Sequence, residues 1–148
     1  MAGPCLTIYV PEELSVPNRA EIEGYIDILS NEVQGNDFWI GGQPFLWSVH
    51  APDEDEVLLD LKGWNPKQVL TFCAMCNNPA SHVLLATMCI KIAGIIDGMI
   101  LLEDMTSLTD KAVILKMSGH LVVEDYGYFV EPKYLSYWLG EREFHLVK

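Results

Sequence analysis

An apolar segment near the middle of the chain constrains the fold more than any other feature. Asn78-Pro79 is a good helix start, because Asn is a strong N-cap and Pro suits the first helical position. The segment that follows, to about residue 93, is apolar on nearly every side, and Lys91 is its only charge. A helix of this composition is expected to be buried. We therefore predict a buried helix over about 79–93, packed against the rest of the fold.

The flanking segments predict the other elements. Residues 6–10 alternate and are β-branched, which is typical of a strand, and Pro17 begins an amphipathic helix over about 17–31. Residues 112–115 fit a strand or a helix. Further strands are predicted at 37–40, 44–50, 69–76, 99–102, 120–123, 126–130 and 143–147, with a short helix at 132–139. This order predicts an α+β fold with a mainly antiparallel sheet, and the length favours one domain over 1–148.

The charge is distributed unevenly along the chain. Residues 1–60 hold twelve acidic side chains and one basic side chain, Arg19, whereas the remaining 88 residues hold nine acidic and eight basic ones. The electrostatic field of such a charge distribution bears on binding partners rather than on fold, and it favours a basic protein surface as the partner. Nucleic acid is excluded as a partner, because its phosphates would be repelled and the basic residues form no stripe.

Four cysteines are expected to be reduced thiols in a cytosolic chain: Cys5, Cys73, Cys76 and Cys89. The Cys73-Ala-Met-Cys76 spacing raises a redox pair or half of a zinc site as alternatives. Zinc lacks a second pair of ligands at usable spacing, and a redox pair usually opens a helix, whereas this pair lies in a predicted strand. We therefore predict core cysteines, no metal and no cofactor.

Catalytic motifs are absent from the sequence. None of the four histidines lies in a nucleophile motif, and no glycine-rich phosphate-binding loop is present. We predict no catalytic residues and no enzyme activity. Two alternatives stay open. One is a small hydrolase that uses Cys76 with His82 or a carboxylate pair, and the other is a scaffold or regulatory subunit that dimerises through an exposed strand edge.

Acidic and aromatic residues lie close together in the first 60 positions. The run Asp53–Glu56 lacks the alternation and the glycine of a calcium loop, so it is expected to be a solvated loop. Aromatic anchors within a charged surround are typical of tight protein interfaces, although each tryptophan alone is also a fair core residue. The predicted partner-binding residues are Asp37, Trp39, Trp47, Asp53, Glu54, Asp55, Glu56 and Asp60.

Several short motifs resemble those of a bacterial family of unknown function. They are Ala74-Met75-Cys76-Asn77, His82, Leu85, Ala93 and Ile96-Asp97-Gly98, then Tyr134-Leu135, Trp138-Leu139 and the ending Phe144-His145-Leu146-Val147-Lys148, with an early Asp37-Phe38-Trp39. These are packing and capping motifs, so the resemblance implies a shared fold. Small, acidic, single-domain members of this family look like immunity proteins of secreted bacterial toxins.

That resemblance implies a function and a location. Immunity proteins act in the cytoplasm of the toxin producer, where they bind the toxin domain and often plug its active site. Many toxin domains present basic clefts, which an acidic protein complements. We therefore expect an antitoxin-like protein that occludes a basic toxin domain and is a monomer or weak homodimer when free. A cytoplasmic location is expected because no signal peptide and no run of about 18 apolar residues is visible.

Overall fold

The computed structural model describes residues 3–102, 120–123, 127–140, 144 and 146. Its strands are β1 (Cys5–Val10), β2 (Glu32–Gln34), β3 (Asp37–Ile40), β4 (Gln43–His50), β5 (Gln68–Ala74), β6 (Met99–Leu102), β7 (His120–Val123) and β8 (Gly127–Val130). Its helices are α1 (Val16–Leu29), α2 (Pro79–Ile96) and α3 (Pro132–Leu139), with a 3-10 turn at Glu56–Leu58.

The strands form one sheet in the order β2-β3-β4-β5-β1-β6-β8-β7, and each described pair is antiparallel. The predicted α+β class with a mainly antiparallel sheet is therefore confirmed, as are the buried helix and the N-terminal helix. The structure adds β2, a three-residue strand at one edge of the sheet that the sequence did not predict.

The helices cover one face of this sheet, which we call the back face. Strand pairing places Phe38, Phe45, Trp47 and Phe72 side by side there, and all four are buried. Helix α2 contacts β1, β5 and β6 on one side and α1 and α3 on others, so much of its apolar surface is covered, and an exposed stripe is left along Val83, Thr87, Lys91 and Gly94. This arrangement explains why a helix without a polar face is stable in this chain.

Both ends of α2 follow from local sequence. The Asn78 side chain accepts a hydrogen bond from the Ser81 backbone N–H at 2.9 Å, which caps the first turn. The helix ends at Asp97 in the left-handed conformation, with φ 52°. Gly98 follows, and a Cβ there would lie 2.5 Å from the Ile8 Cγ2 atom. The chain can therefore turn directly from α2 into β6 only with glycine at this position.

By length and composition, α2 also has the character of a membrane-spanning segment, the single such helix among the described residues. The core helix of a globular protein has the same character, and eight residues of α2 are buried against the sheet and the other helices. The expectation that this chain lacks a membrane span stays a prediction.

The prediction of reduced cysteines is wrong for two of the four residues. Cys5 and Cys73 form a disulfide with an S–S distance of 2.07 Å, because strand pairing sets them directly opposite each other. Both lie on the face away from the helices, where Cys5 is exposed and Cys73 half-buried. Cys89 is a buried free thiol on α2, as predicted. Cys76 is also a free thiol, but it is half-buried beyond the end of β5, so it is not the core strand residue that was predicted.

The C-terminal residues pack on the helices. Phe144 makes an edge-to-face contact with Trp138, with 5.0 Å between ring centroids. Phe144 and Leu146 lie outside any strand, so the strand predicted at 143–147 is wrong at both described positions. The rest of that segment, and the element predicted at 112–115, lie outside the described residues.

We predict that the buried Cys89 thiol makes the free energy of unfolding depend on pH. Burial raises its pKa above the ordinary value, so the folded protein keeps the proton while the unfolded chain loses it. Below the unfolded pKa both states hold the proton and stability is unaffected. Above about pH 8.5 the free energy of unfolding should fall by about 1.4 kcal/mol per pH unit from this group. Urea unfolding between pH 8 and 9.5 measures this slope. Cys89→Ala should flatten it, and equal slopes would contradict the assignment.

Candidate protein-binding surface

The face of the sheet opposite the helices, which we call the front face, is partly open. Residues directly opposite each other on antiparallel strands share a face, so the register identifies the members. Its exposed or half-buried residues on β1 to β5 are Cys5, Thr7, Glu32, Gln34, Asp37, Trp39, Pro44, Leu46, Ser48, His50, Thr71 and Cys73. None of these twelve is lysine or arginine. The front face therefore offers a mixed polar and apolar surface, with two acidic residues and an aromatic residue on β2 and β3.

A segment between β4 and β5 covers the remainder of the front face, and we call residues 53–61 the anchored loop. Leu59 and Leu61 are buried in a cluster formed with front-face residues of the sheet. Those residues are Tyr9, Val69, Met99, Leu101 and Phe129, with Trp64 packed against them. This second apolar cluster fixes the base of the loop to the centre of the sheet.

Hydrogen bonds hold the acidic end of the anchored loop. The Tyr9 hydroxyl donates to Glu56 Oε2 at 2.5 Å. Glu56 Oε1 accepts from the Asp53 backbone N–H at 3.1 Å, and Asp53 Oδ1 accepts from the Glu56 backbone N–H at 2.9 Å. This reciprocal pair is a capping box for the short helical turn. Glu56 is only 9% exposed, so its carboxylate anchors the loop from below.

The other acidic residues of the anchored loop point to solvent. Glu54, Asp55 and Asp60 are exposed, and Asp60 also accepts a hydrogen bond from the Gly63 N–H at 2.8 Å. Between them in sequence, Val57 is 41% exposed and Leu58 is 77% exposed. The loop thus presents an apolar side chain flanked by carboxylates on a fixed backbone.

The structure divides seven of the eight predicted partner-binding residues into three groups. Asp53 and Glu56 serve the loop's own structure, whereas Glu54, Asp55 and Asp60 are available for contact. Asp37 and Trp39 lie on the front face.

Trp47 does not belong on the candidate surface. It is 4% exposed on the back face and stacks on Phe72 at 5.7 Å, so of its two interpretations the structure supports the core residue.

Sequence reasoning missed two residues that shape the anchored loop. Leu58 has no role among the sequence predictions, and Tyr9 belongs to the strand predicted at 6–10 without a polar role. The spacing of Asp53 and Glu56, three residues apart before an apolar pair, is the signal of a capping box that would have found the anchoring role of Glu56. No local signal identifies Tyr9, because its partner is 47 residues away.

The acidic residues of the first 60 positions do not all gather at the anchored loop. Five of them lie on α1 or on the segment before it: Glu12, Glu13, Glu21, Glu23 and Asp27. Arg19 pairs with Glu23 at 3.0 Å and lies over the Trp47 ring. Negative charge therefore lies on both sides of the sheet. The anchored loop is distinguished by its rigidity and its exposed apolar residue, more than by charge alone.

His82 has a clear structural role. Its Nδ1 accepts a hydrogen bond from the Leu146 backbone N–H at 2.9 Å, which leaves Nε2 to donate to Asn77 Oδ1 at 2.8 Å. The side chain therefore ties the C-terminal segment to the start of α2. Proton transfer between His82 and Cys76 would require one of these two hydrogen bonds to break.

An open cleft lies at the C-terminal end of α2. This open cleft of about 430 Å³ is lined by residues that include Lys62, Trp64, Asp97, Glu131 and Lys133. Lys62 and Glu131 form an ion pair at 2.6 Å, so the charges in the cleft balance. Among the described residues, no group of three or more His, Cys, Asp or Glu side chains is placed to hold a metal ion.

We predict that the hydrogen bond of the Tyr9 hydroxyl, which holds the anchored loop, stabilises the folded protein. Tyr9→Phe removes the donor to a nearly buried carboxylate, so the free energy of unfolding should fall by about 1–3 kcal/mol. Urea unfolding followed by tryptophan fluorescence gives the value. Tyr137→Phe is the matched control, because Tyr137 is exposed and should change stability by less than about 0.5 kcal/mol. Equal effects of the two substitutions would show that the hydrogen bond contributes little.

The architecture defines an α+β protein in which helices back one antiparallel sheet and a hydrogen-bonded acidic loop covers part of the opposite face. The chain belongs to the family described as "Family of unknown function (DUF6368)", whose model matches residues 2–148. This match confirms the resemblance to a family of unknown function. No curated protein and no solved structure matches the sequence.

Proposed function

We propose that this protein is an immunity protein, which binds a basic secreted toxin domain and neutralises it by occluding the active site. The observation that carries the proposal is the anchored loop. Its exposed Glu54, Asp55 and Leu58 stand on a backbone fixed by the capping box and by Tyr9. Because the loop is already ordered, little conformational entropy is lost when it binds.

The chemistry of the loop specifies the complementary surface. The exposed Leu58 fits an apolar pocket, and burial of such a side chain at the centre of an interface supplies much of the affinity. The carboxylates of Glu54, Asp55 and Asp60 fit lysine and arginine side chains around that pocket, and they accelerate association. A toxin cleft that binds nucleic acid or nucleotides has this combination of a concave centre and a basic rim.

Capture from the native host followed by a neutralisation assay tests the proposal. The bait is the full chain, and the bait compared with it is the loop variant Glu54→Lys/Asp55→Lys/Leu58→Ala. We expect wild type to retain a basic protein that the loop variant does not retain. The purified captured protein should arrest growth when expressed alone, and co-expression of the wild-type chain should restore growth.

A matched control separates the loop from general acidity. Glu21→Lys/Asp27→Lys changes the charge of two exposed residues on α1, which packs against the back face, and should capture and protect as wild type does. If both variants lose capture and protection equally, the interaction depends on nonspecific charge. A captured protein that shows no toxicity would contradict the immunity function itself.

A further inference from the structure

The disulfide on the front face has a role that the binding proposal does not use. We propose that the Cys5–Cys73 pair is a thiol–disulfide exchange site, at which an external dithiol reductant opens the bond and a disulfide oxidant restores it. This inference is independent of the proposed immunity function, because it depends on the two cysteines and their strands alone.

The first argument is access. Cys5 is exposed and Cys73 is half-buried, on the face of the sheet that α1, α2 and α3 do not cover. Structural disulfides usually resist reduction, whereas exposed ones are the labile, regulatory or catalytic ones. The front-face neighbours in register with the bond are Leu46 on β4 and Asp37 on β3. An attacking thiolate can therefore reach Cys5 from solvent without unfolding of the sheet.

The second argument is that the sheet keeps the two sulfurs opposite each other when the bond is open. Strand β1 pairs with β5 from Cys5–Cys73 to Val10–Gln68, and it pairs with β6 on its other edge. Beyond the disulfide, the Ala74 N–H donates to Pro4 O at 3.0 Å and the Gly3 N–H donates to Ala74 O at 3.1 Å. Backbone hydrogen bonds flank the pair on both sides, so the reduced thiols stay adjacent and reoxidation is fast.

The exchange balances with a dithiol as the two-electron donor. One thiolate of the reductant attacks Cys5 Sγ, the Cys5–Cys73 bond breaks, and Cys73 leaves as a thiolate that takes a proton from water. The second thiol of the reductant, as its thiolate, then attacks the sulfur that the reductant contributes to the mixed disulfide. Cys5 leaves as a thiolate that takes a proton from water, and the reductant becomes a disulfide.

The two remaining cysteines supply internal standards. Cys76 is free and half-buried beyond the end of β5, so it should react with an alkylating reagent in both redox states. Cys89 is free but buried, and burial raises its pKa, so it should react in neither state while the protein is folded. The labelling pattern of a single sample therefore reports reduction and unfolding separately.

Iodoacetamide labelling with peptide mass spectrometry tests the proposal. The full chain is oxidised with oxidised glutathione, treated with millimolar dithiothreitol at pH 8, and sampled over time in buffer and in 6 M guanidinium chloride. We expect Cys5 and Cys73 to become labelled in buffer within about tenfold of the rate in denaturant, with Cys89 unlabelled. Replacement of the reductant by oxidised glutathione should restore the bond, because the two protein thiols transfer two electrons to glutathione disulfide, which leaves as two glutathione thiols.

Two results would overturn the inference. One is native protection of the bond by about a thousandfold or more, which would make it a structural disulfide that opens only on unfolding. The other is full labelling of Cys5 and Cys73 after the glutathione step, which would show that no bond forms. Cys5→Ser checks the assignment, because it should expose Cys73 to labelling without any reductant while Cys89 stays protected.

Discussion

Reversal of two loop charges, Glu54→Lys/Asp55→Lys, is expected to slow association with the captured basic partner by about tenfold or more at low salt. Both carboxylates are exposed and make no contact that supports the loop, so the variant should fold as wild type does. The rate changes because steering by complementary charge acts before contact. Surface plasmon resonance at several salt concentrations measures it, and the difference should shrink as salt rises.

The choice of these two residues depends on the structure. Substitution of all four acidic residues from Asp53 to Glu56 would also remove the capping box and the partner of Tyr9, so slow binding would then have two causes. Glu21→Lys/Asp27→Lys adds the same charge on α1 and should change the rate by less than about threefold. If both double variants slow association equally, the anchored loop is not the contact surface.

Removal of the disulfide is expected to have the largest effect on stability. Cys5→Ser/Cys73→Ser opens a cross-link between residues 68 positions apart, and the loss of that constraint on the unfolded chain should lower the free energy of unfolding by about 4 kcal/mol. Urea unfolding under oxidising conditions gives the value from the shift in midpoint.

A reductant provides the control for this prediction. With dithiothreitol present, wild type and the double serine variant should unfold at nearly the same urea concentration, since both then lack the cross-link. A difference that persists in reductant would assign the effect to serine substitution on the front face. No difference under oxidising conditions would show that the cross-link does not constrain the unfolded chain.

Local patterns in the sequence predicted much of this fold. The cap at Asn78, the proline after it and the unbroken apolar run placed α2, and alternation placed β1, whereas apolar segments between turn residues placed most of the other strands. These signals are contained within one element, so a single sequence carries them in full. The short strand β2 has no such signal, because three exposed residues, Glu32 to Gln34, show no apolar alternation.

Contacts between distant residues explain what the sequence did not predict. Cys5 and Cys73 become partners only through the register of β1 on β5, and the hydrogen bond from Tyr9 to Glu56 forms only because Tyr9 lies beneath the loop. Register depends on the whole sheet, so spacing along the chain does not indicate either pair. The expectation of reduced thiols followed from the expected cytoplasmic location and took no account of register.

The two tryptophans near the acidic run, Trp39 and Trp47, show how strand register decides on which face of the sheet a residue lies. Phe38 lies opposite Phe45 across the β3–β4 hairpin, so an even-numbered residue on β3 shares its face with an odd-numbered residue on β4. Trp39 and Trp47 must therefore lie on opposite faces, although both positions are odd. The two-residue turn at Gly41-Gly42 is enough to place the two tryptophans on opposite faces, and the packing of the helices decides that the face of Trp47 is the core.

The enclosure of α2 has a consequence for biosynthesis. Three of the elements that cover this helix, β6, β8 and α3, follow it in the chain and leave the ribosome later. Until they are made, the nascent polypeptide displays an 18-residue helix with a mean hydropathy of 1.6, which resembles a segment that the membrane insertion machinery accepts. Until translation has passed residue 139, α2 therefore lacks the cover that the later elements provide in the folded protein.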